Sequence, residues 1–309
     1  MAQTPGMKPR FSAARRRTLA ALAALGAAGA LRAAPPELLR RAVPATGEKL
    51  PAVGMGTWLT FDMRAGPDRQ ARLPVLRAFF EAGGTVLDSS PMYGYAEEAL
   101  GELVPRAAPA QVFNATKVWT PLRALGVRQM EESFARWGVR RFDLIQVHNM
   151  LDWEAHLATL KDMKAAGRVR YIGITTSHGR RHDDLEAAMR RERFDFVQFS
   201  YSFADRSAEK RLLPLAAERG AAVIVNRPFD GGELFGAVKG KPLPGWAAEI
   251  DCANWAQVFL KFVVSHPAVT CAIPATSNVA HMRENMGALG GRLPDVALRR
   301  RMAAHFDSL

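Results

Sequence analysis

The sequence has little of what marks several common protein classes. It holds only two cysteines, Cys252 and Cys271, too few for a disulfide framework. Cys271 lies in the apolar run AVTCAIPAT and reads as a small buried hydrophobe. The longest mildly apolar stretch, Leu19–Leu31, is Ala- and Gly-rich and 13 residues long, short of the roughly 20 that span a bilayer. No GxGxxG fingerprint sits between a strand and a helix, and no linker or low-complexity segment interrupts residues 42–309.

Acidic residues are absent from residues 1–33, which carry Lys8, Arg10, Arg15, Arg16, Arg17 and Arg32. Half of the formal charge of +12 therefore sits there, and the rest of the chain carries +6. That remainder is scattered in pairs such as Arg180-Arg181 and Arg190-Arg191, without the interleaved aromatics on which single strands stack, so a nucleic-acid groove is not expected. A diffuse positive field of this kind favours small anionic cofactors or substrates. His178 and His182 have the i,i+4 spacing of a metal pair, but Asp183 and Asp184 after them fit a helix start better, and no metal site is expected. Arg299-Arg300-Arg301 reads as a solvated helix face.

What is present is a core. Apolar residues make up 48% and charged residues 23%, the balance of a globular chain, and its length suits a single α/β barrel of roughly 250 residues with an extension. Eight β-branched runs recur, at 51–58, 85–88, 112–118, 143–148, 169–176, 196–201, 221–228 and 268–276. Segments of helical period lie between and after them, at 68–82, 96–104, 127–137, 154–166, 183–191, 207–218, 254–265 and 279–289, with a last one at 295–306. Eight βα units predict a (β/α)8 TIM barrel with a C-terminal extra helix rather than an open sheet. Ahead of them AVPATGEKLPAV places turn residues between short apolar pieces and predicts an N-terminal hairpin plugging the barrel floor.

Ala14-Arg15-Arg16-Arg17-Thr18-Leu19 resembles a twin-arginine export signal, and Ala-x-Ala frames end near residues 30–34. The resemblance implies a signal peptide over residues 1–33, a mature domain over residues 34–309, passage through the twin-arginine export machinery, and a periplasmic destination reached already folded.

In a barrel, chemistry gathers where strands end and the following loops begin. Asp88 closes the second run, Tyr93 follows five residues on, Lys117 nearly closes the third and His148 closes the fourth. A carboxylate, a phenol, an ammonium and an imidazole at one mouth suit proton transfer to oxygen. An ammonium beside the phenol brings its pKa down from about 10, and a carboxylate holds that ammonium charged. His148 donates to the substrate oxygen or shares the proton.

This order is similar to the catalytic tetrad of the aldo-keto reductase family. The likeness spans about residues 42–290: Leu87-Asp88-Ser89-Ser90-Pro91-Met92-Tyr93-Gly94 with Glu98 and Leu100-Gly101, then Ala115-Thr116-Lys117-Val118-Trp119, Asp143-Leu144-Ile145-Gln146-Val147-His148, and Ala272-Ile273-Pro274-Ala275-Thr276-Ser277 with Glu284-Asn285. It implies hydride transfer between a nicotinamide cofactor and a carbonyl carbon, Tyr93 protonating the oxygen. Implied cofactor contacts are Gly56, Thr57, Thr175, Thr176, Gln198 and Arg227, with Thr276, Ser277, His281, Glu284 and Asn285 about the adenosine end. Trp58, Trp119 and Met150 are expected to line an open apolar substrate pocket without long enclosing loops.

The chain departs from the family pattern in having Thr175-Thr176 where Ser-Asn is common. It has Asn226-Arg227-Pro228-Phe229 where Tyr-Ser-Pro-Leu is common, and Ala275, Asn278 and His281 at positions that often carry cations against a 2′-phosphate. NADP(H) is expected ahead of NAD(H), from a monomer or small homo-oligomer acting on a small carbonyl or alcohol. The resemblance also admits a non-catalytic redox-sensing module, or an enzyme that cycles one tightly bound cofactor between two substrates.

Overall fold

The computed structural model describes residues 1–3 and 37–309. The chain divides into two units, Met1–Pro36 and Glu37–Leu309, and the second holds the elements that follow. The export-signal reading of residues 1–33 falls outside the described residues, apart from the first three.

Two short strands come first, β1 (Arg40–Ala42) and β2 (Lys49–Pro51), paired antiparallel with Arg41 opposite Leu50. Eight strands follow in one parallel sheet: β3 (Met55–Gly56), β4 (Val86–Asp88), β5 (Phe113–Val118), β6 (Phe142–Val147), β7 (Val169–Thr175), β8 (Phe196–Ser200), β9 (Ala222–Asn226) and β10 (Val269–Ala272). Their spatial order is their sequence order. A parallel bridge from Val53 to Ala272, with Gly54 N–H donating to Ala272 O at 2.8 Å and Gly56 N–H to Pro274 O at 3.1 Å, joins the last strand to the first. The sheet is thereby closed into the eight-stranded barrel that the alternating runs predict. Gly56 is required at that seam, since a Cβ there would stand 2.9 Å from Ile273 O.

Helices follow the strands, among them Ala96–Ala107, Arg123–Trp137, Trp153–Ala165, His182–Arg191, Trp255–Val264 and Val279–Gly287, with Val296–Asp307 as the extra C-terminal helix. Two expected helices are interrupted, and both for the same reason. The segment 68–82 divides into Pro67–Gln70 and Leu73–Glu81, and the segment 207–218 into a 3-10 turn Ser207–Lys210 and the helix Leu212–Arg219. Pro74 and Pro214 lack an N–H and would clash with the carbonyl four residues earlier, so each sits in the first turn of a restarted helix.

The lumen is layered. Along each strand alternate residues point inward, and near the floor these are apolar: Val86, Phe113, Ala115, Leu144, Tyr171, Phe196, Ala222 and Ile224 form one buried cluster. Phe113 and Tyr171 stack at 6.0 Å, and Tyr171 meets Phe196 edge-on at 5.3 Å. Val43 and Leu50 of the hairpin belong to the same cluster. Tyr171 Oη hydrogen-bonds Thr46 Oγ1 and Glu48 Oε2, each at 2.7 Å. The hairpin therefore does plug the floor.

Candidate active site

Two more residues up each strand the inward positions turn polar. On β5 the sequence Phe113-x-Ala115-x-Lys117, on β6 Leu144-x-Gln146 with His148 just beyond its end, and on β8 Phe196-x-Gln198 carry the same change from apolar to polar. Lys117 is wholly buried and its ammonium donates to Asp88 Oδ1 and, at 2.8 Å, to Ser89 O. Asp88, the last residue of β4, is equally buried, and its other oxygen accepts from Gln146 Nε2 at 3.2 Å and Gln198 Nε2 at 3.1 Å. A buried ion pair is tolerable only when its remaining valences are filled, and here both carboxylate oxygens are.

Tyr93 stands in the turn after β4, its N–H donating to Ser90 O at 2.9 Å. The Lys117 ammonium lies 5.0 Å from the Tyr93 ring centroid, and the His148 ring meets Tyr93 edge-on at 5.7 Å. Burial pushes the Tyr93 phenol up; Lys117 pulls it down and Asp88 raises it again, and the net direction is upward. Lys117 does lower this phenol as expected, but the desolvation it opposes is larger, so the expected net fall from about 10 is corrected to a rise. Burial alone would lower Lys117, yet its ion pair with Asp88 opposes that, the net direction is upward, and the ammonium stays charged. His148 is pulled well below 6.5, first by burial and then by Lys117, so its imidazole is neutral at pH 7.

One cavity of about 590 Å³ opens above these groups. Of the residues singled out from the sequence, Gly56, Thr57, Trp58, Asp88, Tyr93, His148, Thr176, Gln198 and Arg227 line it. Thr175 does not; it is buried, and its Oγ1 accepts the Asn149 N–H at 3.0 Å. Neither does Met150, which is 3% exposed and packed into the outer core, nor Trp119, 40% exposed beside the mouth. Both readings of the pocket are corrected. Thr276, Ser277, His281, Glu284 and Asn285 follow the cavity's end at Ala275, on the loop after β10 and in the helix Val279–Gly287, whose N-terminus Asn278 caps.

The expectation of no long enclosing loop also fails. Residues 227–254, between β9 and the helix Trp255–Val264, bring Phe229 and Phe235 to the cavity wall. Sequence reasoning missed Gln146 too, although its place two residues before His148 on one strand face was a usable signal. At the rim are Arg180, Arg181 and Arg227, with Arg227 Nη1 3.0 Å from His178 Nε2 and 3.3 Å from Asp230 through Nη2. Thr176 Oγ1 and Thr60 Oγ1 are buried without a hydrogen-bond partner, and both residues line the cavity. Among the described residues no group of three or more His, Cys, Asp or Glu is placed to hold a metal ion, and no helix is long and apolar enough to cross a membrane.

Residues 52–300 match the pattern of the Aldo/keto reductase family. The chain is 27% identical over 208 residues to aldo-keto reductase YhdN of Bacillus subtilis, a match covering 62% of each protein and so less than two thirds of that relative. It is 24% identical over 330 residues to pyridoxal 4-dehydrogenase of Microbacterium luteolum, covering 83% of this chain and 94% of that one. Among solved structures, an aldo-keto reductase of Klebsiella pneumoniae in complex with NADPH superposes with a TM-score of 0.69 at 24% identity, over 87% of this chain and 96% of that one.

Proposed function

The chain belongs to the aldo/keto reductase family, and on that premise we propose that it is an NADP(H)-dependent oxidoreductase that reduces aldehydes or ketones to alcohols, or runs the reverse, with Tyr93 as the proton donor. One observation carries the reading. Asp88, Tyr93 and His148 line a single, otherwise largely apolar cavity, with Lys117 buried behind them on Asp88 and 5.0 Å from the Tyr93 ring centroid.

The residues present fit a nicotinamide nucleotide. Thr176 Oγ1 is a buried polar atom in want of a partner at the cavity wall. Gly56 leaves that wall without a side chain, and Arg180, Arg181 and Arg227 supply positive charge for an anionic ligand. NADP(H) is favoured over NAD(H) because the Klebsiella relative holds NADPH. When bound, the reduced nicotinamide supplies the hydride. Tyr93, its proton fully in place at neutral pH, gives that proton to the carbonyl oxygen as the C=O electron pair moves onto it. Lys117, pinned by Asp88, stands ready to stabilise the phenolate left behind. Gln146 and Gln198 hold Asp88 in place.

Titration of the purified protein with NADPH and NADH, read by quenching of tryptophan fluorescence from the cavity-lining Trp58, tests the cofactor. NADPH is expected to bind more tightly and to be consumed with a panel of small carbonyls; failure of both nucleotides to bind would remove the basis of the assignment. For residues 1–33 we propose a twin-arginine signal and a periplasmic destination. The reading is supported by Arg15-Arg16 and the acid-free apolar stretch after them. Fractionation of cells should find wild type outside the cytoplasm and the double variant Arg15→Lys, Arg16→Lys within it; equal partition would contradict the signal.

A further inference from the structure

Ser90 takes no part in the proton transfer described above, yet it touches two of the residues that do. It is fully buried in the turn after β4, its carbonyl accepts the Tyr93 N–H at 2.9 Å, and its Oγ lies 3.0 Å from His148 Nδ1. The same Oγ accepts the Met92 N–H at 3.2 Å. His148 lines the cavity, and among the described residues its Nε2 has no protein partner.

We propose that Ser90 is a positioning residue that fixes His148 as the Nε2–H tautomer, so that a hydrogen-bond donor faces the carbonyl oxygen. The proposal rests on the reading of the cavity as a carbonyl-reducing site. Its polarity follows from counting hydrogens. If Nδ1 carried the proton and donated to Ser90 Oγ, that oxygen would accept twice, and its own hydrogen would be left buried with no acceptor among the described residues. If Ser90 donates to a bare Nδ1, its hydroxyl hydrogen has an acceptor and the neutral ring must bear its one proton on Nε2. The backbone beside the ring is already fixed, because Thr175 Oγ1 holds the Asn149 N–H at 3.0 Å, so the hydroxyl of Ser90 is what sets the ring itself.

The test is long-range ¹H–¹⁵N correlation of the ring nitrogens in the ¹⁵N-labelled full chain, with and without NADP⁺, the His148 signals assigned by their loss in His148→Gln. The wild type should show Nε2 protonated and Nδ1 bare. Ser90→Ala should lose that preference and about tenfold in kcat with a carbonyl substrate while NADPH affinity is unchanged, and Ser90→Thr should restore both. A wild-type spectrum with the proton on Nδ1 would overturn the proposal without any variant, as would a Ser90→Ala protein with unaltered tautomer and kcat. Should the ring be Nε2–H in a protein that binds no nucleotide, the tautomer assignment stands and the functional reading is what fails.

Discussion

Burial disfavours whichever form of a group is charged, so it raises the Tyr93 phenol and lowers the His148 imidazole. Tyr93 is thereby kept protonated and His148 neutral. The second shift has a stability consequence with a definite sign. Below about pH 6.5 the unfolded chain takes up a proton on this ring that the folded protein refuses. Stability is therefore fully present above that pH and is lost as pH falls toward the lowered folded-state value. His178, His182 and His266 are also lowered, so wild type should lose stability in the same window for several reasons. Denaturant midpoints at about pH 7.5 and about pH 5.5 should show His148→Gln losing less than wild type, by up to about 1.4 kcal/mol per pH unit; equal losses would mean that His148 is not shifted. That Asp88, Tyr93, Lys117 and His148 come together was legible from their places at or just after strand ends, but these directions were not. They depend on how much water each group loses, which no spacing reports. Glu97 makes the same point: the family likeness singles out Glu98, yet Glu97 is the fully buried acid, accepting from Thr116 at 2.5 Å and Ser133 at 3.0 Å outside the barrel wall.

At the scale of elements, the eight runs in sequence became eight strands in space because each alternates inward and outward residues and is followed by a helix that packs back on the sheet. The hairpin was legible for a similar reason: Val43 and Leu50 are apolar islands in a polar, turn-rich stretch, and the open barrel end is where such residues are buried. Leu50→Ala should leave a void in the floor cluster and lower stability by about 2–5 kcal/mol. Its distance from the mouth predicts unaltered KM values in the folded protein, so a stability loss accompanied by a changed KM for carbonyl substrate would argue against a floor separate from the site. What the sequence hid at this scale was the segment 227–254. Its only regular pieces are short turns and the helix Glu233–Ala237, too brief to show a period, so Phe229 and Phe235 gave no sign that they would reach the mouth.

The unit Glu37–Leu309 is a barrel whose lumen passes from apolar at the hairpin end to polar at the mouth. Aromatic and aliphatic side chains, closed off by a hairpin, fill the lower lumen, and above them a saturated Lys117–Asp88 pair carries Tyr93 and His148 into a cavity rimmed by arginines. The positive excess read from composition is therefore placed in part where an anionic cofactor would enter, a placement that net charge alone could not specify. The central claim is that hydride delivery in this cavity depends on the proton of Tyr93. Single-turnover oxidation of stoichiometric NADPH by an added carbonyl, followed by loss of the reduced-nicotinamide absorbance, tests it directly in wild type and Tyr93→Phe. Wild type should oxidise the nucleotide, and Tyr93→Phe should bind NADPH equally well but react about 10²–10⁴-fold more slowly; equal rates in the two proteins would contradict the account.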